Sequence, residues 1–345
     1  MLSYIIRRIL ILPLILLGVT FLIFCLFSLL SPMERLATYI NDPSVLKNPQ
    51  SAQRLIDKYH LDEPFPTGYV HWLKSLLRFD FGWSPTANQP VWDAIMQRLP
   101  ATMELVLYSI IPVILVGIWL GVISAVHHND MLDQFIRVTA IIGWSLPTFI
   151  FGLLILFIFY GILGWLPPGR LSTWAQYIVY AEEGFKNYTY FITIDSLLNG
   201  RIDIFWDALK HLIGPIITLS YISWAYLLRI TRSSMLETLR KDYIRTARSK
   251  GVDEKTVIHQ HARKNAMIPV VTVAGMMIIR MLGGVVITET VFTYPGLGFW
   301  AASSAQQLDY GSIIGFALLF AFLMVVGNLI VDVSYALIDP RVRLE

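Results

Sequence analysis

The stretch ILILPLILLGVTFLIFCLFSLLSPM, Ile9 to Met33, carries no charged residue. About 20 apolar residues of helix cross the hydrocarbon core of a bilayer, so this run is long enough to span one. Arg7 and Arg8 precede it, which gives it the outline of a secretory leader. It is too long for the apolar part of a leader and lacks a small-residue cleavage site, so it reads as a retained first span. Its cysteine, Cys25, is the only one in the sequence. That excludes an internal disulfide framework and a cysteine metal site, and leaves a lipid- or core-facing thiol.

The same solvent logic extends outward along the chain. Hydrophobic residues make up 55% of its 345 positions and charged ones 15%, and mean hydropathy is +0.59. A soluble domain is about a quarter charged. Uncharged stretches recur at Leu105–Asn129, Val138–Gly169, His211–Leu228 and Tyr310–Val331, and Ala266–Thr288 is interrupted only by Arg280. The expectation is an all-α membrane protein with six spans, at residues 1–31 and at about 101–126, 136–160, 211–230, 266–288 and 311–335. The partner this demands is membrane lipid. The net charge of +3 gives no reason to expect nucleic acid.

Lys and Arg in short connections set orientation. Arg229–Lys264 holds ten basic residues against four acidic ones, whereas the loop Ser31–Pro100 balances seven against seven. Gly164–Lys210 has four against five, and Leu282–Asp309 has no Lys or Arg. An even number of spans puts both ends on one side, and Arg7 and Arg8 agree with Arg341 and Arg343. Both termini and the basic segment are therefore expected to be cytoplasmic, with 338–345 as a short tail. The turn around His127–Asp133 should be inside too, although it is not basic.

Two outer loops, 32–98 and 160–210, are long enough to fold. Tyr69, Trp72, Leu73, Leu76 and Leu77 recur at helical spacing and predict an amphipathic helix with an interfacial tryptophan, and Gln53–Tyr59 predicts another short helix. The second loop is rich in Trp and Tyr up to Tyr190. Either loop could cap the spans or serve as a landing surface for a substrate-delivering protein.

Residues 231–265 are too long for a turn. Leu236, Leu239, Tyr243 and Ala247 form a helical stripe, and Gly251 stands where glycine ends a helix. Asp253 is placed to cap a second helix with Val257, Ile258, His261 and Ala262 on one face, and Pro269 follows at the start of span five. Helix, glycine turn, helix and proline predict a stiff elbow with basic residues outside.

These residues carry a resemblance. Arg245-Thr246-Ala247-Arg248-Ser249-Lys250-Gly251 with His261, Asn265-Ala266 and Pro269 resembles the cytoplasmic loop of binding-protein-dependent permeases, in the dipeptide/oligopeptide branch. Tyr4-Ile5-Ile6-Arg7-Arg8, Leu61-Asp62-Glu63-Pro64, Asp80-Phe81-Gly82-Trp83-Ser84, Arg98-Leu99-Pro100-Ala101-Thr102, Glu289, Phe292, Pro295-Gly296-Leu297-Gly298 and Asp339-Pro340-Arg341 extend it in order over nearly the whole chain. The resemblance implies the type I permease fold of an ATP-driven importer in a bacterial or archaeal cytoplasmic membrane. It implies an elbow (Arg245, Ala247, Lys250, Gly251, His261, Asn265, Pro269) that docks on an ATPase. It also implies a second homologous permease, two cytoplasmic ATPase subunits and an extracytoplasmic binding protein or lipoprotein. No G-x-x-x-x-G-K-[ST] phosphate loop occurs, so the chain is expected to be no enzyme and to hold no cofactor, with ATP and Mg bound by partners.

Arg280, with Glu289 at the end of the same span, is a candidate for the translocation path. A charge deep in a span usually faces protein or water, so the alternative for Arg280 is an ion pair with Asp332. Met276, Met277 and Met281 read as adaptable filling rather than a soft-metal stripe, His127-His128 point apart on a helix without the carboxylate pattern of a ligand set, and of His259 and His261, two apart, one belongs to the elbow. A secondary transporter should show ionisable relays in several spans, and an intramembrane enzyme a Ser/His or paired-Asp constellation. Oligopeptide is the expected substrate. The aromatic second loop, and Ser31-Pro32-Met33-Glu34 with Asn41-Asp42-Pro43 in place of a Gly-Asp-Pro cluster, keep oligosaccharide as the alternative.

Overall fold

The computed structural model describes residues 2–41, 48–182 and 184–338, with side chains left out at residues 2–6, 8 and 332–338. Asp42-Pro43, the side chain of Asp332, and Asp339-Pro340-Arg341 with the rest of the tail lie outside the described residues.

The chain is helical almost throughout: α1 (Leu2–Phe27), α2 (Pro32–Leu36), α3 (Pro49–Lys58), α4 (Phe65–Leu77), a two-residue hairpin of β1 (Trp83–Ser84) and β2 (Gln89–Pro90), then α5 (Val91–Val126), α6 (Met131–Ser145) and α7 (Thr148–Ile155), which continues as a π-helical turn to Ile162. There follow α8 (Thr173–Tyr180), α9 (Ile192–Leu198), α10 (Ile202–Leu239), α11 (Asp242–Ser249), α12 (Glu254–Thr256), a π-helical segment Val257–Ala262, α13 (Arg263–Val291), α14 (Leu297–Gln306) and α15 (Tyr310–Ile338). Among the described residues five helices are long and apolar enough to cross a membrane, and α6 with α7 makes up to six if that bent pair counts as one span.

The stretch expected as the span at about 136–160 falls on this pair, whose halves meet at 108°. Pro147 is the cause. It forces the preceding residue out of helical space, and Leu146 takes φ −85° and ψ 128°. Helix α5 also begins at Val91, ten residues before the predicted start, so the end of the expected 32–98 loop is already helix, and α10 overruns 211–230 at both ends.

Residues 1–102 and 295–330 form one compact unit. In it, α4 lies along the end of α1. Phe24 meets Phe65, Tyr69 and Trp72 with ring centroids 5.2–5.4 Å apart, and the Thr20 hydroxyl shares a hydrogen bond with Tyr69 at 3.0 Å. Trp72 is thus buried against α1 and is not the interfacial tryptophan expected. The amphipathic α3 seats Ala52 and Ile56 against Leu36, Ile40 and Leu61. Asp309 is the hub of the second half: it accepts from Ser84 Oγ at 2.8 Å, Ser312 Oγ at 2.6 Å and Ser312 N at 3.0 Å, which caps α15 and pins the hairpin.

The described residues of 103–294 and from 331 onward form the second unit, with α10 at its centre. Gly117 and Gly121, a G-x-x-x-G pair that the sequence reading passed over, let α5 approach α10 closely. A Cβ on Gly121 would stand 2.5 Å from Thr231 Cβ and 2.9 Å from the Leu228 carbonyl oxygen. The backbone contact leaves no soft direction to yield. Gly121→Ala is expected to destabilise the protein by about 1–3 kcal/mol, the usual cost of overpacking. Thermal unfolding in detergent measures this, and an unchanged midpoint would show that α5 and α10 do not meet there.

Candidate functional site: the elbow after α10 and the cavities beside it

Helix α10 ends at Leu239, and after Arg240 and Lys241 the chain turns into α11. This break resets the helical phase. In the predicted unbroken stripe Tyr243 faces inward. In the structure Tyr243 is 43% exposed, and Ile244 is fully buried in its stead, among Ala125, Met235, Val257, Ala262 and Ala266. Leu236, Leu239 and Ala247 keep their predicted places around that cluster. Everything else on α11 points outward: Asp242, Arg245, Thr246, Arg248 and Ser249 are exposed.

Gly251 closes α11 at φ +73°, and the Val252 amide donates to the Ala247 carbonyl at 3.2 Å. This is the left-handed closure in which glycine is preferred. A Cβ there would meet nothing within 4 Å, so the requirement is conformational and not spatial. Across the turn Arg248 grips Glu254 with two hydrogen bonds, Nε at 3.0 Å and Nη2 at 2.6 Å, and these hold the Glu254 carboxyl below its ordinary range. Both side chains are about half exposed, so the pair adds about 0–1 kcal/mol and defines geometry more than stability. Asp253 caps the next helix as expected, accepting from Thr256 N at 3.3 Å.

The second arm differs from the prediction. No corner separates it from span five: α12, the π-helical segment and α13 follow one another without a break, with His261 half-buried and Asn265 donating to its carbonyl at 2.8 Å. Pro269 lies inside α13, not at a corner. Ser234 Oγ donates to the Ala266 carbonyl at 2.8 Å and ties α10 to the base of α13.

Beneath the elbow lies a latch that the sequence reading missed. Asp133 is fully buried and receives the Arg232 guanidinium in a fork, Nε to Oδ1 and Nη2 to Oδ2 at 2.8 Å each. Ser124 Oγ and the Asn129 amide also donate to it, the latter at 3.0 Å, and Arg137 lies 3.7 Å away. One carboxylate so joins the end of α5, the start of α6 and α10. A signal existed: Asp133 and Arg232 are opposite charges at the ends of successive apolar runs.

Two cavities run beside α10. One of about 820 Å³ is lined by Trp144, Tyr226 and a set of cations that includes Arg137, Arg229, Arg232 and Arg240. Arg229 stacks over Trp144 and Tyr226 at 5.2 and 5.1 Å. The other, about 190 Å³, shares Trp144 and Tyr226 and adds Thr148, Ser223, Met277 and Arg280. Arg280 is exposed toward it and has no carboxylate partner among the described residues. Glu289 is fully buried and lines neither cavity. The methionines separate: Met277 and Met281 are buried and Met276 points out, so no stripe forms.

The loop at the other end of these helices is held by buried carboxylates. Glu104 accepts from Arg170 Nη2 at 2.7 Å and from Thr193 N and Oγ1 at 2.9 and 2.7 Å. Asp195 holds Thr189 and Tyr190, and Asp207 holds Ser172. Around them, Trp174, Tyr177, Tyr180, Tyr188 and Tyr190 stay exposed.

A bundle of long apolar helices, with an elbow anchored by one buried residue and a cation-lined cavity, is the architecture of a membrane-embedded protein. Residues 117–344 match the family of binding-protein-dependent transport system inner membrane components, and residues 1–106 match the N-terminal region of the same membrane components. The chain belongs to this family. It is 38% identical to the oligopeptide transport system permease protein of Bacillus subtilis over 99% of its length and 100% of that protein. Identity is 37% to the dipeptide transport system permease protein of Alkalihalophilus pseudofirmus, again over 99% and 100%, and 36% to that of Escherichia coli K12 over 99% of each. The type I permease fold expected from the motifs is thereby shown. Replacing Arg232 with Ala removes the forked pair and leaves the buried Asp133 with only the longer Arg137 contact at 3.7 Å as its counter-charge, which is expected to cost up to about 3–5 kcal/mol. The Arg232→Ala/Asp133→Ala pair should recover part of the loss. Unfolding midpoints of the two variants measure this, and equal losses would remove the latch.

Proposed function

We propose that this chain is the permease subunit of an ATP-driven oligopeptide importer in a cytoplasmic membrane, with both termini and the elbow on the cytoplasmic side. The observation that carries this reading is the elbow itself: α11 is anchored by one buried residue, Ile244, and presents all its polar side chains outward. That is the form of a surface made to be pushed by another protein. The partners are two ATPase subunits that bind ATP and Mg, a second homologous permease, and an extracytoplasmic binding protein or lipoprotein. Orientation follows from the basic residues around the elbow, and the substrate class from the relatives named for dipeptides and oligopeptides.

Closure of the ATPases presses on α11. The Arg248–Glu254 grip and the Asp253 cap transmit the load to α12, and the unbroken helical path delivers it to α13, which bears Arg280. Movement of α13 against α10 then alternates access to the cavity between them. Arg280, with Thr148 and Ser223 beside it, suits the C-terminal carboxylate of a peptide, and Trp144 and Tyr226 suit its side chains. Glu289 is assigned to the framework.

The exposed aromatic residues around α8 serve as the landing surface for the binding protein. They are also what an oligosaccharide importer would stack sugars on, so uptake of labelled peptide against labelled oligosaccharide by the reconstituted complex separates the two substrates.

Two variants test the mechanism. Gly251→Pro cannot take φ +73° and breaks the turn; the complex should still hydrolyse ATP but import nothing, and wild-type import per ATP would remove the coupling role. Gly251→Ala, for which there is room, should strain the turn by only about 1–2 kcal/mol and retain import. Arg280→Gln removes a charge-assisted contact of about 1.5 kcal/mol, which raises the half-saturating concentration of free-carboxylate peptides about tenfold. Peptides amidated at the C-terminus should be unaffected, and an equal change for both would exclude contact with the carboxylate.

A further inference from the structure

We propose that the segment joining α3 to α4 holds a divalent transition-metal ion of the zinc class on His60, Glu63 and His71. His60 follows the end of α3, Glu63 lies in the turn, and His71 stands on α4. His60 Nδ1 is 2.6 Å from Glu63 Oε1, and His71 Nδ1 is 2.8 Å from Oε2 of the same carboxylate. The two imidazole rings face each other with centroids 4.2 Å apart. Three donor atoms fall within 4.8 Å of one another, so one ion can replace the two hydrogen bonds with coordinate bonds of about 2.0–2.2 Å after small side-chain rotations. Two imidazoles and a carboxylate, with a further position open to water, are a set that Zn²⁺ accepts. All three side chains are partly exposed, which gives an ion access.

The backbone places the first of the three ligands. His60 has φ +58° and occupies the left-handed position that closes α3, with the Leu61 amide donating to the Ile56 carbonyl at 3.0 Å. Glycine is the usual occupant of such a closure. Histidine is among the side chains that tolerate this conformation, and its ring is carried over that of His71.

The setting also selects the ion. Arg35, Lys58, Lys74 and Arg78 line the adjacent cavity of about 330 Å³ with both histidines. Ca²⁺ and Mg²⁺ are held by several charged or carbonyl oxygens, and one carboxylate among these cations does not supply them. A metal that bonds to imidazole nitrogen depends less on net charge. Its bound state would staple the turn onto α4, which also carries Trp72 against α1.

The test uses the full-length chain in its assembled complex, with any affinity tag removed, in lipid nanodiscs. After equilibration with Zn²⁺ and passage through metal-free buffer, bound metal is measured by mass spectrometry and the unfolding midpoint is recorded with and without Zn²⁺. Wild type should retain one Zn²⁺ per chain and unfold at higher temperature with it. His60→Gly suits the backbone at that position, so it removes a ligand without endangering the fold, and His71→Asn replaces a side chain that is partly exposed. Each should keep the metal-free midpoint and lose both the ion and its effect. A wild type that retains no more Zn²⁺ than the variants, or a Mg²⁺ response equal to that of Zn²⁺, would overturn the site. The readouts involve no transport, so the outcome is independent of the importer reading.

Discussion

The buried carboxylate of Asp133 is the constraint on which the second unit depends. Removing a charge from water is costly, and only an exacting set of partners repays it. Here the partners are a forked guanidinium from α10, a hydroxyl from α5 and an amide from the α5–α6 turn. Because these come from separate elements, the carboxylate is satisfied only when α5, α6 and α10 are in register. The G-x-x-x-G contact of Gly117 and Gly121 with α10 acts on the same pair of helices. Within that frame Ile244 finds its socket, so the elbow stands on a base that cannot shift piecemeal.

The same device recurs elsewhere. Glu104, Asp195 and Asp207 gather the amides and hydroxyls of the α8–α9 loop, and Asp309 gathers those of the hairpin and α15. A loop without long regular hydrogen bonding must still satisfy its backbone groups, and an ionised carboxylate offers several strong acceptor positions at once. Apolar surface alone would leave such loops without a defined path.

Much of this was legible beforehand. Spans are a matter of length and charge, and Ile9–Met33 or Tyr310–Val331 admits hardly another reading. Gly251 and Asp253 announced their roles because left-handed closure and helix capping are local chemistry. Other features were opaque for definite reasons. The phase of α11 was misread because a two-residue break after Leu239 has no strong sequence mark, and one residue of slippage exchanges Tyr243 for Ile244. Pro269 looked like the boundary between the elbow and span five because proline is disfavoured inside helices, yet α13 runs through it. Trp72 looked interfacial because an amphipathic face is equally suited to lipid and to another helix.

By itself, then, the sequence determined a helical membrane protein, the apolar runs at the heart of its long helices, and an elbow closed by glycine, since all of these rest on hydropathy and on short-range backbone preference. Tertiary structure alone decided which charges meet. Asp133 and Arg232 are 99 positions apart, and Glu104 and Thr193 are 89. His60 and His71 come together only because a left-handed residue turns the chain back on itself. Pairings of this kind depend on where helices cross, and no local pattern encodes a crossing.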